Sequence, residues 1–382
     1  MTLTAFIQPM LFAFVGAFFL CLGIIATRDI HGHLTLDDRA GVQKIHSDPT
    51  PRVGGIALYI AAMIGGLALP QGAQMLWWPI LLALLPAFLT GMAEDMTKHI
   101  GVKWRLLATV VSGLIFCLLT GYQVVGVEIS WADWMLSDWT FALIFTAFAL
   151  GGVSNAINII DGVNGLASGC SLMIFAGFGV LSYRYGDAEL LGCILVGAAV
   201  LAGFFVLNFP YGKIFLGDAG AVSMGFLLAV VAVMLPLRNP EISPLIGLTA
   251  LIYPVVETFV SIWRRIRRVD THPGQADRLH LHSLIYRSCA RRAANWLARP
   301  HLRSAITSVM VSTLPLLSTI IIVCWPEDKT MLLIGAAGVT MLYLGLYRRV
   351  ALLPPILFNQ SQRSRKPAVL VPDKSGNQSQ NR

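Results

Sequence analysis

Apolar runs of bilayer-spanning length recur along this chain from Ala5 to Tyr347, and no other feature constrains its fold as strongly. A hydrocarbon core about 30 Å thick is crossed by a helix of roughly 20 apolar residues. Hydropathy places eleven such spans, at 5–26, 53–70, 75–91, 105–121, 140–160, 165–183, 189–208, 220–237, 244–263, 304–325 and 330–347. The expected fold is an all-α integral membrane protein of about eleven transmembrane helices. One polytopic domain would cover 1–350, and the polar stretch 351–382 reads as a disordered tail. Composition agrees, because only 13% of the 382 residues are charged, where an ordinary soluble domain has about a quarter. The first run has no basic flank and is followed by further spans, so it reads as a retained helix rather than a cleaved signal. No CxxC pair occurs, and five of the six cysteines fall in or beside apolar runs; neither a disulfide framework nor a zinc site is expected.

Charge distribution orients the spans. With the N-terminus outside, all of the 28 Lys and Arg except Arg184, Arg238 and Lys329 fall on the inner side, as the positive-inside rule requires. The outer loop 122–139 carries Glu128, Asp133 and Asp138 among Trp131, Trp134 and Trp139 and has no basic residue, the pattern of an aromatic interface belt. The net charge of +8 therefore describes a basic cytoplasmic face that suits anionic lipid or phosphate rather than nucleic acid.

Carboxylates near a bilayer are costly and tend to mark function. Glu94, Asp95, Asp161, Asp218 and Glu257 come from four separated parts of the chain, and eleven crossings put all five at the cytoplasmic face. In GGVSNAINIIDGVNGLASG, Asn155, Asn158 and Asp161 recur every three residues along one helical face, with Asn164 following. They would meet a nucleotide or metal, or else bridge helices and cap the next one. In NFPYGKIFLGDAG, Asp218 stands between Gly217 and Gly220, where a carboxylate at a helix start can hold Mg²⁺ or simply cap the helix. The loop KIHSDPTPRVGG offers Lys44, Thr50 and Arg52 before a glycine-led helix start, a phosphate-compatible set that topology alone would also favour. Four arginines, Arg264, Arg265, Arg267 and Arg268, follow the ninth span and suit anionic head groups. His280 and His282, two apart, would share a face of an extended segment and could contact a diphosphate. In GMAEDMTKHIGVKWR, the adjacent Glu94 and Asp95 could bind Mg²⁺, orient a basic residue, act as a base, or end a helix in salt bridges.

Taken together, KIHSDPTPRVGG, GMAEDMTKHIGVKWR, NAINIIDGVNGLASG, FLGDAG and HLHSLIYR resemble, in order, the motifs of the polyprenyl-phosphate N-acetylhexosamine-1-phosphate transferases. These are integral membrane enzymes that start bacterial cell-envelope polymers. The resemblance covers most of the membrane region. It implies transfer of an N-acetylhexosamine-1-phosphate from a UDP-sugar to undecaprenyl phosphate, with release of UMP, at the cytoplasmic face of the bacterial inner membrane. DRLHLHSLIYR looks more like the enzymes of O-antigen or similar polymers than like the peptidoglycan enzyme, phospho-N-acetylmuramoyl-pentapeptide transferase. Mg²⁺, replaceable by Mn²⁺, is the implied cofactor, with Asp218 and Asp161 as ligands. Glu94, Asp95, Asp161 and Asp218 are the implied catalytic residues. Lys44, Thr50, Arg52, Asn155, Asn158, Asn164, His280 and His282 are the implied substrate and phosphate contacts. Related enzymes can dimerise, so a homodimer is an expectation. Glu94, Asn164 and Ser283 stand where the family commonly has Asp, Asp and His. A secondary transporter is the competing class, since it also uses intramembrane Asp and Asn with broken helices, but it places them at mid-bilayer and often shows inverted repeats. No internal repeat is visible here.

Overall fold

The computed structural model describes residues 3–35, 50–267 and 279–352. Lys44, Arg268 and the tail beyond residue 352 lie outside the described residues. The first half of the chain forms α1 (Ile7–Ala26), α2 (Arg28–Thr35), α3 (Gly54–Leu67), α4 (Gln71–Thr97), α5 (Val102–Thr120), α6 (Ser130–Leu136) and α7 (Trp139–Ile160). It continues through α8 (Leu166–Arg184), α9 (Ala188–Asn208), α10 (Gly217–Arg238), α11 (Leu245–Ala250) and α12 (Ile252–Ile266). The last part comprises α13 (Leu281–Arg287), α14 (Cys289–Trp296), α15 (Arg303–Val311), α16 (Thr313–Cys324) and α17 (Lys329–Ala351). The all-helical, multi-pass architecture expected from hydropathy is present.

Among the described residues, nine helical runs are long and apolar enough to cross a membrane, with 300–324 counted as one run. The two other expected spans are present in altered form. Helix α3 has 14 residues, about 21 Å at 1.5 Å per residue, short of a full hydrocarbon core. The ninth expected span is divided at Leu251 into α11 and α12. Pro254 in the first turn of α12 cannot donate to the Ala250 carbonyl, and its ring crowds that oxygen, which accounts for the break. Pro86 sits inside α4, and the neighbouring Ala87 amide finds the Ser112 hydroxyl of α5 at 3.0 Å. A serine from an adjacent helix thereby compensates the disturbed backbone ladder.

Helix α10 is the axis of the bundle. It is apolar all round, and 89% of its most apolar window is buried, against 22% for α1 and α17 at the periphery, as expected when a helix has no polar face to turn outward. Helices α3, α4, α7 and α8 pack around it. Its two ends are built differently. At the C-terminal end, Arg238 makes a bidentate pair with Asp187 at 2.7 and 2.8 Å and also reaches Glu189 and the Tyr122 hydroxyl. That clamp joins α10 to the start of α9 and to the chain leaving α5. The N-terminal end receives α3 and α4 at backbone distance. A Cβ on Gly91 of α4 would lie 2.7 Å from Ala219 Cα, and one on Gly55 of α3 would lie 2.8 Å from Ala219 Cβ and closer still to the Gly220 amide.

This packing has a direct consequence. Gly55→Ala should lower the thermal midpoint in detergent by several degrees, a loss of about 1–3 kcal/mol from overpacking. Gly23→Ala, where nothing lies within 4 Å of the added methyl, should leave the midpoint unchanged or raise it. Tryptophan fluorescence melts of the purified variants check both, and equal midpoints for the two would contradict the close approach.

Candidate active site

The site begins with the last turn of α4. Asp95, 2% exposed, accepts hydrogen bonds from the Asp218 amide at 2.8 Å and the Ala219 amide at 3.0 Å. A carboxylate from one helix thus closes the amino end of another, where orphan N–H groups and the helix dipole favour negative charge. Gly217 makes the approach feasible: its φ is +72°, and a Cβ there would meet the Arg52 carbonyl and come within 2.5 Å of Asp95 Oδ2. The segment before α3 is seated on the same turn, with Phe215 N donating to Pro51 O at 2.8 Å and Gly54 N to Phe215 O at 3.1 Å. Arg52 is therefore delivered beside two carboxylates, its Nη2 being 3.9 Å from Asp95 Oδ1 and 3.9 Å from Asp218 Oδ1. Asp218 Oδ2 is bonded by Arg105 Nη1, from the first turn of α5.

Asp161 follows the last residue of α7 and lies within the field of Arg52. Burial pushes its carboxyl up to about 7, against the opposing attraction of Arg52. Beside it, a Cβ on Gly162 would collide with the His282 imidazole, which places α13 against this loop. His280 Nδ1 lies 2.9 Å from Glu257 Oε1, and the Leu281 amide donates to Glu257 Oε2 at 3.2 Å. Glu257 is fully buried, so a charge-assisted contact from α12 aims the histidine pair. The two rings stack with centroids 5.4 Å apart and 3° between planes. The extended segment expected for these residues is a helix start: His280 has extended dihedrals and caps α13, while His282 lies within its first turn. Their shared face is retained. Burial holds the His282 imidazole down to about 4, so it is neutral near pH 7, and its Nδ1 is buried with no partner among the described residues.

Asp95, Asp161, Asp218, Arg52, His280 and His282 come together at one end of the bundle. Thr50 is buried just ahead of Arg52. The remaining expected residues are placed differently. Glu94 accepts from the Ile100 amide at 2.7 Å and closes the α4–α5 turn, the helix-ending role left open by its sequence. Asn155 donates to Thr109 Oγ1 and the Gly151 carbonyl, each at 2.8 Å, bridging α7 to α5. Asn158 is half-buried one turn before Asp161. Asn164 clamps the loop, its backbone amide donating to Ser304 Oγ at 2.9 Å and its Nδ2 to the Pro210 carbonyl at 3.1 Å, while its Oδ1 is buried with no partner among the described residues. Arg105, reached only by the tertiary structure, adds a second guanidinium at Asp218. Glu257 was among the five carboxylates marked in the sequence, and the structure supplies its partner, His280. Arg105 carried no signal beyond its place at a helix start.

Mg²⁺ prefers hard oxygen ligands and keeps several waters, so one or two carboxylates suffice. Asp218 and Asp161 are of that class, and Asp218 already has a cationic partner in the Arg105 guanidinium. Among the described residues, no group of three or more His, Cys, Asp or Glu is placed to hold a metal ion, so a site here would rest on one or two carboxylates.

The described helices form a membrane bundle with carboxylates, arginines and histidines collected at one end. Residues 77–236, from α4 through nearly all of α10, match the model of glycosyl transferase family 4. An undecaprenyl-phosphate alpha-N-acetylglucosaminyl 1-phosphate transferase of Yersinia pestis is 27% identical over 271 residues, covering 69% of this chain and 73% of that protein. A protein of the same name from Escherichia coli (strain K12) is 27% identical over 281 residues, 71% of this chain and 74% of its own length. A phospho-N-acetylmuramoyl-pentapeptide-transferase of Enterococcus hirae is 32% identical over 220 residues, 55% of this chain and 67% of that protein. The chain belongs to glycosyl transferase family 4, whose members named here are phospho-sugar transferases.

The clamp at Asn164 is testable. The Pro210 carbonyl can only accept, so a carboxylate at 164 would face it without a donor. Asn164→Asp should destabilise the folded protein by about 1–3 kcal/mol, read as a lowered detergent melting midpoint, despite restoring the residue common in the family. An unchanged midpoint would return Asn164 to the list of substrate contacts.

Proposed function

We propose that this protein transfers an N-acetylhexosamine-1-phosphate from a UDP-sugar to undecaprenyl phosphate and releases UMP. The placement would be the cytoplasmic face of a bacterial inner membrane, with the N-terminus periplasmic, as the first membrane step of O-antigen or a related envelope polysaccharide. The observation that carries the reading is the assembly of Asp95, Asp161, Asp218 and Arg52 where α4 and α7 end and α3 and α10 begin. A nucleotide sugar arrives from water, and an isoprenoid phosphate keeps its tail in lipid. Only a site at the membrane boundary reaches both, and the positive-inside distribution supports the cytoplasmic side.

The reaction forms one phosphorus–oxygen bond and breaks another. An oxygen of the lipid phosphate attacks the phosphorus bonded to the sugar, the bond to the UMP oxygen breaks, and UMP departs with the electron pair. The lipid phosphate is already ionised near neutral pH, so alignment of the two anions is the larger task. Arg52 and Lys44 would neutralise and hold phosphate oxygens. His280, fixed through Nδ1 by Glu257, would present Nε2 to the nucleotide diphosphate. Asp95 has both oxygens engaged by α10, so its role is to seat Asp218 rather than to take a proton. Asp218 and Asp161 would hold Mg²⁺, which when bound supplies charge neutralisation at the diphosphate.

Membranes containing the protein, incubated with radiolabelled UDP-N-acetylglucosamine, undecaprenyl phosphate and Mg²⁺, should yield chloroform-soluble label and stoichiometric UMP. Uptake into sealed vesicles without labelled lipid would instead indicate a transporter. A panel of UDP-sugars including UDP-N-acetylmuramoyl-pentapeptide separates the two kinds of relative. Asp218→Asn should reduce turnover by about 10²-fold or more while the variant elutes as a folded protein in detergent; ordinary rates from it would reject the metal assignment.

A further inference from the structure

Arg105 is not accounted for by the reaction as described. Its side chain is 18% exposed, beneath the carboxylate of Asp218, which is 11% exposed. A charge this deeply withdrawn from water must be matched locally, and removing its partner would leave it stranded. The match is incomplete on the arginine side. A guanidinium carries five N–H donors in a planar fork and usually engages a carboxylate through two of them. Here Nη1 alone reaches Asp218, while the buried Nε–H has no partner among the described residues. Arg52 also borders Asp218, at 3.9 Å, so two cationic side chains, one from the segment before α3 and one from α5, converge on one carboxylate. An orphan donor on a half-paired guanidinium, at a site meant for anions, signals an acceptor oxygen yet to arrive.

We propose that Arg105 is an exchangeable counter-ion: it neutralises Asp218 in the ligand-free protein and transfers to a phosphate oxygen of the nucleoside-diphosphate substrate when a divalent cation takes the carboxylate. The inference rests on the metal assignment made above. It makes Arg105 a competitor of the metal and a ligand of the substrate at once. Cation binding at Asp218 frees the guanidinium, and the freed guanidinium, with both Nη1 and Nε available, then has the fork geometry that a phosphate accepts. Binding of the metal and of the diphosphate are thereby coupled through one side chain.

The test uses the full-length protein purified in detergent, with Mn²⁺ alone as the probe, followed by electron paramagnetic resonance. Arg105→Gln should bind Mn²⁺ roughly tenfold or more tightly than the wild type, the usual size of such a coupling. Arg105→Lys, which keeps the charge, should stay near the wild-type value, and Asp218→Asn should lose the site. At saturating Mg²⁺, Arg105→Gln should also raise the KM for UDP-N-acetylglucosamine, with partial recovery in Arg105→Lys. A purely structural arginine would leave Mn²⁺ affinity unchanged or lower it. Unchanged or weaker Mn²⁺ binding in Arg105→Gln, with binding lost in Asp218→Asn, overturns the counter-ion role alone. Undiminished Mn²⁺ binding in Asp218→Asn overturns the metal assignment and the counter-ion role with it.

Discussion

The hydrogen bonds from the Asp218 and Ala219 amides to Asp95 organise the end of the bundle where α4 stops and α10 starts. A helix start inside a membrane bundle presents several N–H groups that no lipid can satisfy. Supplying their acceptor from the end of α4 locks two helices end to start, and it places Asp218 at the boundary between bundle and water. Gly217, Gly91 and Gly55 are the steric conditions of that arrangement, because a side chain at any of them would separate the backbones that have to touch. Arg52 follows, since the segment that carries it is hydrogen-bonded to residues 215–216.

The two ends of α10 handle charge in contrasting ways. At the C-terminal end, Arg238 and Asp187 form a closed, bidentate pair with Tyr122 and Glu189 at its edge, a set whose donors and acceptors match. At the N-terminal end, Arg52 stands 3.9 Å from two carboxylates, and His282 Nδ1 and Arg105 Nε are buried without partners among the described residues. Unsatisfied buried donors carry a cost that a stable fold avoids unless something else uses them. The Arg238 end joins α10 to α9 and to the chain leaving α5, and the other end is where the proposed reaction would take place.

Much of the site was legible as a list of residues. Asp218 was marked by its flanking glycines and Asp161 by its place after an asparagine-bearing helix face; in the structure Asp218 lies in the first turn of α10 and Asp161 follows α7. The roles were less legible. For Asn155 and Asn164 the sequence left open both ligand contact and bridging within the bundle, and the structure supplies protein acceptors for the amide of each. Glu94 is likewise drawn to the Ile100 amide. Arg105 carried no mark in the sequence because its partner, Asp218, lies 113 residues away, and Glu257 was marked as a carboxylate without its partner, His280, 23 residues on.

Hydropathy by itself determined that this chain is a multi-pass helical membrane protein, because the transfer energy of an apolar run depends on composition and length and hardly at all on neighbours. Motif order likewise pointed to the family. Tertiary structure alone decided which carboxylates face one another, which asparagines merely join helices, and which arginine answers Asp218. Those outcomes depend on distances between segments remote in sequence, and charge pairing and hydrogen bonding at a few ångströms are properties of the packed helices, not of any one of them.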